Sequence, residues 1–326
     1  MSSRLFVFLF ISIVVFTSCA RIKTLNTRPH QYNADARNIV WVQLLDFSSS
    51  DLLQSIYQSQ RGDELQFLEQ MDCHGWIIPA SNKELLPSSD VASMMQISGT
   101  IKDLKNCSEV KEFSLAPFIN NKYELVMLED GDMGSNGGGS KEHGRVESLS
   151  DLLYCTKEKH QWNNLHYINL SSGLLENTNL VQIDSSNVVQ ALNGPGGELR
   201  DRQCSQGPCK VSPLTYVKAL IPEMNKKTNK QMVIAVDRRL VAKNFSLDKN
   251  AKQKLKDLIV DDLLKIRKSL REDSLLLISL IDGRSDKNSI LAAGASSENF
   301  CGSFSHSAIL KRLLYENKRR YFNIYE

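Results

Sequence analysis

Short runs of consecutive apolar residues alternate along this chain with segments whose apolar residues recur at helical spacing. A run without polar alternation is typical of a strand buried on both faces, as in a parallel sheet. Such runs lie at 38–46, 123–128, 180–184, 230–237 and 273–282, with a short candidate at 76–79. Helical patterns lie near 51, at 65–71, from 87, at 148–153, at 255–270 and at 309–315. This order predicts an α/β fold, with a mostly parallel central sheet sandwiched by helices.

Two stretches between these elements are rich in glycine and are predicted to be loops, at 129–140 and at 193–213. Neither contains the glycine spacing of a nucleotide-binding loop, so the pattern disfavours a nucleotide site.

The N-terminus carries a different pattern. Arg4 is followed by about a dozen apolar residues and then by Thr17, Ser18 and Cys19. This apolar stretch is shorter than the ~20 residues that span a bilayer, so it predicts an export signal rather than a membrane helix. The ending before Cys19 resembles a bacterial lipoprotein signal, although Phe16 stands where leucine is commonest. We therefore expect a signal peptide at 1–18, lipid on Cys19, a polar tether at 19–37 and a single α/β domain at 38–326.

Export changes the interpretation of the cysteines. Seven are present, and a lipidated Cys19 would leave an even number, which in an exported chain predicts disulfides of open pairing. Cys204 and Cys209 enclose a short turn and suggest a local bridge, with half of a zinc site as the alternative. The remaining four are Cys73, Cys107, Cys155 and Cys301.

The net charge of the chain limits the classes of partner that we expect it to bind. The net charge is only +3, and the sequence has no Lys/Arg block of the kind that follows nucleic acid. We expect an extracytoplasmic protein whose partner is the membrane, through lipidated Cys19. Sequons at Asn106, Asn169 and Asn244 would suit a eukaryotic secretory route instead.

Several of the predicted strands end in an acidic residue, namely Asp46, Asp130 or Asp132, Asp237 and Asp282. In open parallel sheets, ligand sites lie at the carboxyl ends of the strands. A set of carboxylates at one edge suits zinc or a hard cation. The alternative for each residue taken singly is that aspartate simply ends a strand and starts a turn.

Position and order together resemble the alkaline phosphatase and sulfatase superfamily, including type I phosphodiesterases. Its members open with a buried strand that ends in a metal-binding aspartate, here Asp46. A helix N-terminus then carries the nucleophile ahead of a Ser-Gly or Thr-Gly pair, here Ser89 ahead of Ser98-Gly99. A later strand ends in Asp282-Gly283, and a final histidine, His306, precedes the last helix.

The resemblance implies a metal-dependent phosphoester or sulfate-ester hydrolase. Ser89 would attack, and Arg284 would steady the anion. Zinc or manganese would be held by Asp46, Asp237, Asp282 and His306. A metal is needed because it lowers the pKa of the serine hydroxyl.

The departures from the superfamily pattern are equally specific. Gly283 and Arg284 stand where a histidine is expected after Asp282, and Arg238 and Arg239 follow Asp237. The cysteine signature of sulfatases is absent from the sequence, and so is the G-x-S-x-G of serine hydrolases. Ser88 or Ser89 also suits an ordinary helix N-cap. The alternative function is therefore a non-catalytic envelope lipoprotein that keeps this fold for binding or support.

Overall fold

The computed structural model describes residues 36–59, 67–78, 88–99, 123–130, 146–156, 165–170, 212–241, 249–283 and 288–314. These residues belong to one compact unit, which spans Ala34–Glu326. Among them, no helix has both the length and the apolar character that a membrane crossing requires.

The described residues form eight strands. They are β1 Asn38–Leu45, β2 Cys73–Ile77, β3 Glu124–Glu129, β4 Leu165–Asn169, β5 Gln231–Asp237, β6 Leu275–Ile281, β7 Asn288–Gly294 and β8 Gly302–Phe304. The helices are α1 Ser49–Ser59, α2 Ser89–Ser98, α3 Leu149–Thr156, α4 Pro213–Lys226, α5 Lys249–Ser269 and α6 Ala308–Leu314, with a 3₁₀ turn at Ser297–Phe300.

The strands form a single sheet in the order β4-β3-β5-β1-β6-β7-β2-β8. The first five strands in that order are mutually parallel. β7 runs antiparallel to both β6 and β2, while β2 and β8 are parallel to each other. Among the described strands, only β7 therefore runs opposite to the other seven. The carboxyl ends of those seven strands meet at one edge of the sheet, which we call the carboxyl edge.

Side chains alternate along the central strands between two separate cores. Trp41 of β1 and Leu277 of β6 pack with α2, α3 and α6, on the face that we call the α2 face. Val42 and Ile278, one residue further on, pack with α1, α4 and α5 on the opposite face, the α5 face. Each central strand is buried along its whole length and is mostly apolar because both of its faces are covered.

Two serines set the starts of helices that flank the carboxyl edge. Ser48 caps α1, since its hydroxyl accepts a bond from the amide of Asp51 at 3.2 Å. Ser88 caps α2 by accepting from the amide of Val91 at 3.4 Å, so Ser89 is the first residue of that helix. The N-cap role predicted for Ser88 or Ser89 therefore belongs to Ser88.

The predicted fold class is confirmed, because the sheet is mostly parallel and has helices on both faces. Several bounds and elements were wrong. β2 begins at Cys73 rather than Trp76, and Glu129 ends β3 rather than opening a loop. The sequence patterns missed β4, α4, β7 and β8. The predicted strand at 180–184 lies outside the described residues.

Disulfide bonding of the cysteines is partly visible. Cys73, at the start of β2, is bonded to Cys301, between the 3₁₀ turn and β8, with their Cα atoms 4.9 Å apart. Cys155 of α3 is also disulfide-bonded. The Cys73–Cys301 bridge joins the start of β2 to the residue before β8, 228 positions further along the chain, and so fixes the β8 side of the sheet.

A truncation in the central strand tests the two-sided core. We expect Leu277→Ala to lower the free energy of unfolding by about 3 kcal/mol, because the side chain is completely buried and the neighbours cannot collapse fully around the cavity. Leu258→Ala, on the exposed side of α5, should cost less than about 1 kcal/mol. Urea unfolding of both variants measures the difference, and equal losses would contradict this description of the core.

Candidate functional site

Asp46, Asp237 and Asp282 lie at the carboxyl ends of β1, β5 and β6. Leu45 of β1 pairs with Ile281 of β6, so Asp46 and Asp282 leave neighbouring strands at the same level. Asp46 does so in the left-handed region, with φ at 55°, which aspartate tolerates better than most residues. The aspartates at this edge are therefore neighbours in the sheet.

Ser89 lies against the turn that follows β6. A side-chain carbon built on Gly283 would come within 2.8 Å of the Ser89 amide nitrogen, so the two backbones are in close approach. Ser89 itself is only 5% exposed. Glycine is required at 283 because any larger residue would push the first turn of α2 away from β6.

A buried chain of amides and hydroxyls runs beneath α2 towards His306. Gln43 of β1 accepts a hydrogen bond from the Ser93 hydroxyl, and its own amide donates to Gln96 Oε1 at 3.2 Å. The Gln96 amide faces His306 Nδ1 at 3.2 Å. Gln43, Ser93 and Gln96 are completely buried, so each bond replaces one that water would make.

Both ring nitrogens of His306 face side-chain amides. Because the Gln96 carbonyl oxygen accepts from Gln43, its amide nitrogen donates to Nδ1 of the histidine. The Asn288 amide faces the other ring nitrogen, Nε2. Burial lowers the pKa of His306 to about 4, so the ring is neutral at neutral pH.

Asn288, the first residue of β7, connects His306 to the end of β6. Its carbonyl oxygen accepts from the Asp282 amide at 2.8 Å, and its amide nitrogen lies 3.5 Å from His306 Nε2. Ser89, Asp282 and His306 thus belong to one neighbourhood on the α2 face, through Gly283 and Asn288.

Asp237 does not join this neighbourhood. It follows Val236, which lies in the α2-face core, so its side chain projects towards the α5 face. There its carboxylate is bound by Arg239, which donates to both oxygens at 2.6–3.0 Å. Burial disfavours the cation, but the charge of Asp237 outweighs it and raises the pKa of Arg239.

Arg238, the next residue along, projects to the α2 face beside Ser89. Its guanidinium donates to Asp90 Oδ1 at 2.9 Å and to Glu129 Oε2 at 2.6 Å. Its backbone amide donates to Asp130 Oδ1 at 2.6 Å. Burial, and then the charge of Asp237, raise the pKa of Asp130 well above its usual range.

These contacts bear directly on the zinc or manganese that the superfamily resemblance implies. Within the described ranges, no three His, Cys, Asp or Glu side chains are grouped so that they could hold a metal ion. His306 directs Nδ1 at an amide, and Asp237 is bound on both oxygens by an arginine. The described residues therefore do not fit a divalent metal at this edge. Arg284 and Cys19 lie outside the described residues.

Sequence reasoning missed the residues that organise the site, namely Gln43, Ser93, Gln96, Glu129 and Asn288. One signal was available: Gln43 interrupts an otherwise apolar buried strand, and such a residue needs a buried partner. Glu129 was assigned to a loop, and the strand that contains Asn288 was not predicted.

Comparison with solved structures identifies the fold. The alkaline phosphatase from the Antarctic bacterium TAB5 matches with a TM-score of 0.53 and 13% identity, over 86% of this chain and 97% of that one. A mutant of it with magnesium bound in its M3 site gives 0.52 and 12% identity over the same shares. No family model matches the sequence, and no curated protein does. The chain therefore has an alkaline-phosphatase-like fold, and the resemblance inferred from motif order is confirmed at that level.

The buried histidine predicts a pH dependence of stability. In the unfolded chain the pKa of His306 returns to about 6.5, so between pH 6.5 and 4 the unfolded state binds a proton that the folded state does not. Stability should fall by about 3 kcal/mol as the pH drops through this window. His306→Asn should remove that slope while the carboxylates still titrate. Urea midpoints every half pH unit measure the difference, and parallel curves for both proteins would contradict it.

Proposed function

We propose that this chain is an exported, lipid-anchored protein of the cell envelope that keeps an alkaline-phosphatase-like fold for binding or support, without metal-dependent ester hydrolysis. The observation that carries the proposal is the set of hydrogen-bonding contacts around the His306 ring. Its Nδ1 accepts from Gln96, and this amide is itself oriented by Gln43. A metal would need an accessible ring nitrogen, whereas Nδ1 and Nε2 of His306 each face a side-chain amide.

The arginines that follow β5 support the same proposal. A metal-binding carboxylate must offer its oxygens to the ion, whereas Asp237 offers both of its oxygens to Arg239. Breaking that buried pair would leave an uncompensated charge on each partner, which costs about 3–5 kcal/mol. A metal would have to compensate for this loss before it contributed anything to catalysis.

A specific observation favours a second candidate, a phosphoester or sulfate-ester hydrolase with a reduced site. Ser89 begins α2 directly beside Gly283, and Asp46 and Asp282 leave neighbouring strands. The first amides of a helix attract anions, so this corner suits a phosphate or sulfate group. Ser89 would then be the nucleophile.

An assay with matched serine variants separates the two candidates. We expect wild type, Ser89→Ala and Ser50→Ala to release nitrophenol equally slowly from p-nitrophenyl phosphate, bis(p-nitrophenyl) phosphate and p-nitrophenyl sulfate. Each substrate is tested with added zinc and with added manganese, and metal content is measured by mass spectrometry. Ser50 is exposed on α1 and serves as the control.

The hydrolase is supported instead if wild type and Ser50→Ala turn over a substrate with metal while Ser89→Ala loses several orders of magnitude, as the loss of a nucleophile does. Stoichiometric bound zinc or manganese in the purified wild type would equally count against the metal-free proposal.

Export and anchoring rest on the N-terminal sequence and on the disulfides. Disulfides persist in oxidising compartments, and Cys73–Cys301 is one within the described residues. The short apolar stretch that precedes Cys19 is the export signal in this proposal.

The mass of the mature protein tests the anchor. We expect the full chain, expressed in a bacterium that processes lipoproteins, to begin at an acylated Cys19 and to fractionate with membranes. Cys19→Ser should lose the acyl mass and leave the membrane fraction, because no described helix replaces the anchor. An unmodified Cys19 in the mature wild-type protein would contradict lipid anchoring.

A further inference from the structure

Arg238 is held by groups from three separate elements on the α2 face. Nε donates to Asp90 in the first turn of α2, and Nη1 donates to Glu129 at the end of β3. Nη2 donates at 2.6 Å to the backbone oxygen of Glu147, which precedes α3. The side chain is only 7% exposed, so the planar guanidinium is enclosed and directed by its acceptors.

Glu129 shows why a cation is needed at this position. Its side chain is 1% exposed, and it accepts from the amides of Leu149 and Ser150 at 3.0 and 3.1 Å. It also accepts from the Tyr167 hydroxyl of β4. The carboxylate therefore caps α3 and links two strands, but it does so as a buried anion that must be neutralised.

Three of the acceptors around the guanidinium are oxygens. They are one carboxylate oxygen of Asp90, one of Glu129 and the Glu147 carbonyl. Carboxylate and carbonyl oxygens, completed by water, are the ligands that calcium takes, in flexible geometry. Removing the guanidinium would leave room at this position for a small hydrated ion.

We propose that Arg238 is a built-in cation of the carboxyl edge, which joins β3, α2 and α3 as a bound calcium ion would, and that removing its side chain turns this position into a calcium site. The role is structural and stands whether or not the protein hydrolyses esters. Arg238 positions Asp90, the residue next to Ser89, and so sets the start of α2 relative to the sheet.

Thermal unfolding of four proteins, each in EDTA and in millimolar calcium chloride, tests the proposal. They are wild type, Arg238→Ala, Arg238→Ala with Glu129→Gln, and Arg271→Ala. Arg271 is the matched control, because it is an arginine paired with an aspartate, Asp273, but half-exposed. Wild type and Arg271→Ala should have the same Tm in both buffers, within about 2 °C of each other.

Arg238→Ala should lose about 10 °C in EDTA, since a buried carboxylate is left unpaired, and should recover about half of that with calcium. The double variant should melt above Arg238→Ala in EDTA, because the uncompensated charge is gone, and should not respond to calcium. If Arg238→Ala does not fold in EDTA, the same comparison is made as refolded yield with and without calcium.

Three results would overturn the proposal. One is a Tm for Arg238→Ala in EDTA within about 2 °C of that of Arg271→Ala, which would mean that the buried cation is dispensable. A second is a folded Arg238→Ala whose Tm calcium does not raise. A third is a double variant no more stable than Arg238→Ala, because the loss would then come from packing and not from charge.

Discussion

Buried negative charge at the carboxyl edge is the constraint on which the rest of this site depends. Parallel strands bring their ends together, and here those ends carry the buried Glu129 and Asp237, with Asp130 beside Asp237. Buried carboxylates are stable only when paired or hydrogen-bonded. The chain meets this requirement with two consecutive arginines, Arg238 and Arg239. Because successive residues after a strand project to opposite faces, one guanidinium neutralises the α2 face and the other the α5 face.

The second organising feature is the direction of hydrogen bonds beneath α2. A carboxylate or an imidazole can serve a metal only if its lone pairs point outward to a common centre. In this chain Ser93, Gln43 and Gln96 donate in sequence towards His306, so the lone pair of Nδ1 points into the protein. His306 thereby ties α2 to the segment before α6.

Much of the fold could be predicted from the sequence, because a strand that is buried on both faces has a run of consecutive apolar residues. The apolar runs of β1, β5 and β6 predicted the centre of a parallel sheet, and the pair Ser88 and Ser89 predicted the start of α2. β7 was missed although it is buried, because polar and small residues leave it no long apolar run, and β8 was missed because it has only three residues. For the candidate site, the sequence predicted which edge of the sheet carries it, but not the contacts between its side chains. Which oxygen meets which nitrogen depends on side-chain direction, so the pairing of Asp237 with Arg239 could not be predicted from spacing.

An alkaline-phosphatase-like fold does not by itself establish alkaline phosphatase chemistry. The strand order and the α2 start can persist while the groups between them change, provided that the buried charge stays balanced. At this edge a guanidinium satisfies that balance, and this group cannot act as a Lewis acid, because its charge is spread over nitrogens that already donate to fixed partners. A site built this way retains the geometry that holds α2 against β6 at Gly283. Under the proposed non-catalytic function, it lacks the open coordination through which a metal activates a serine hydroxyl.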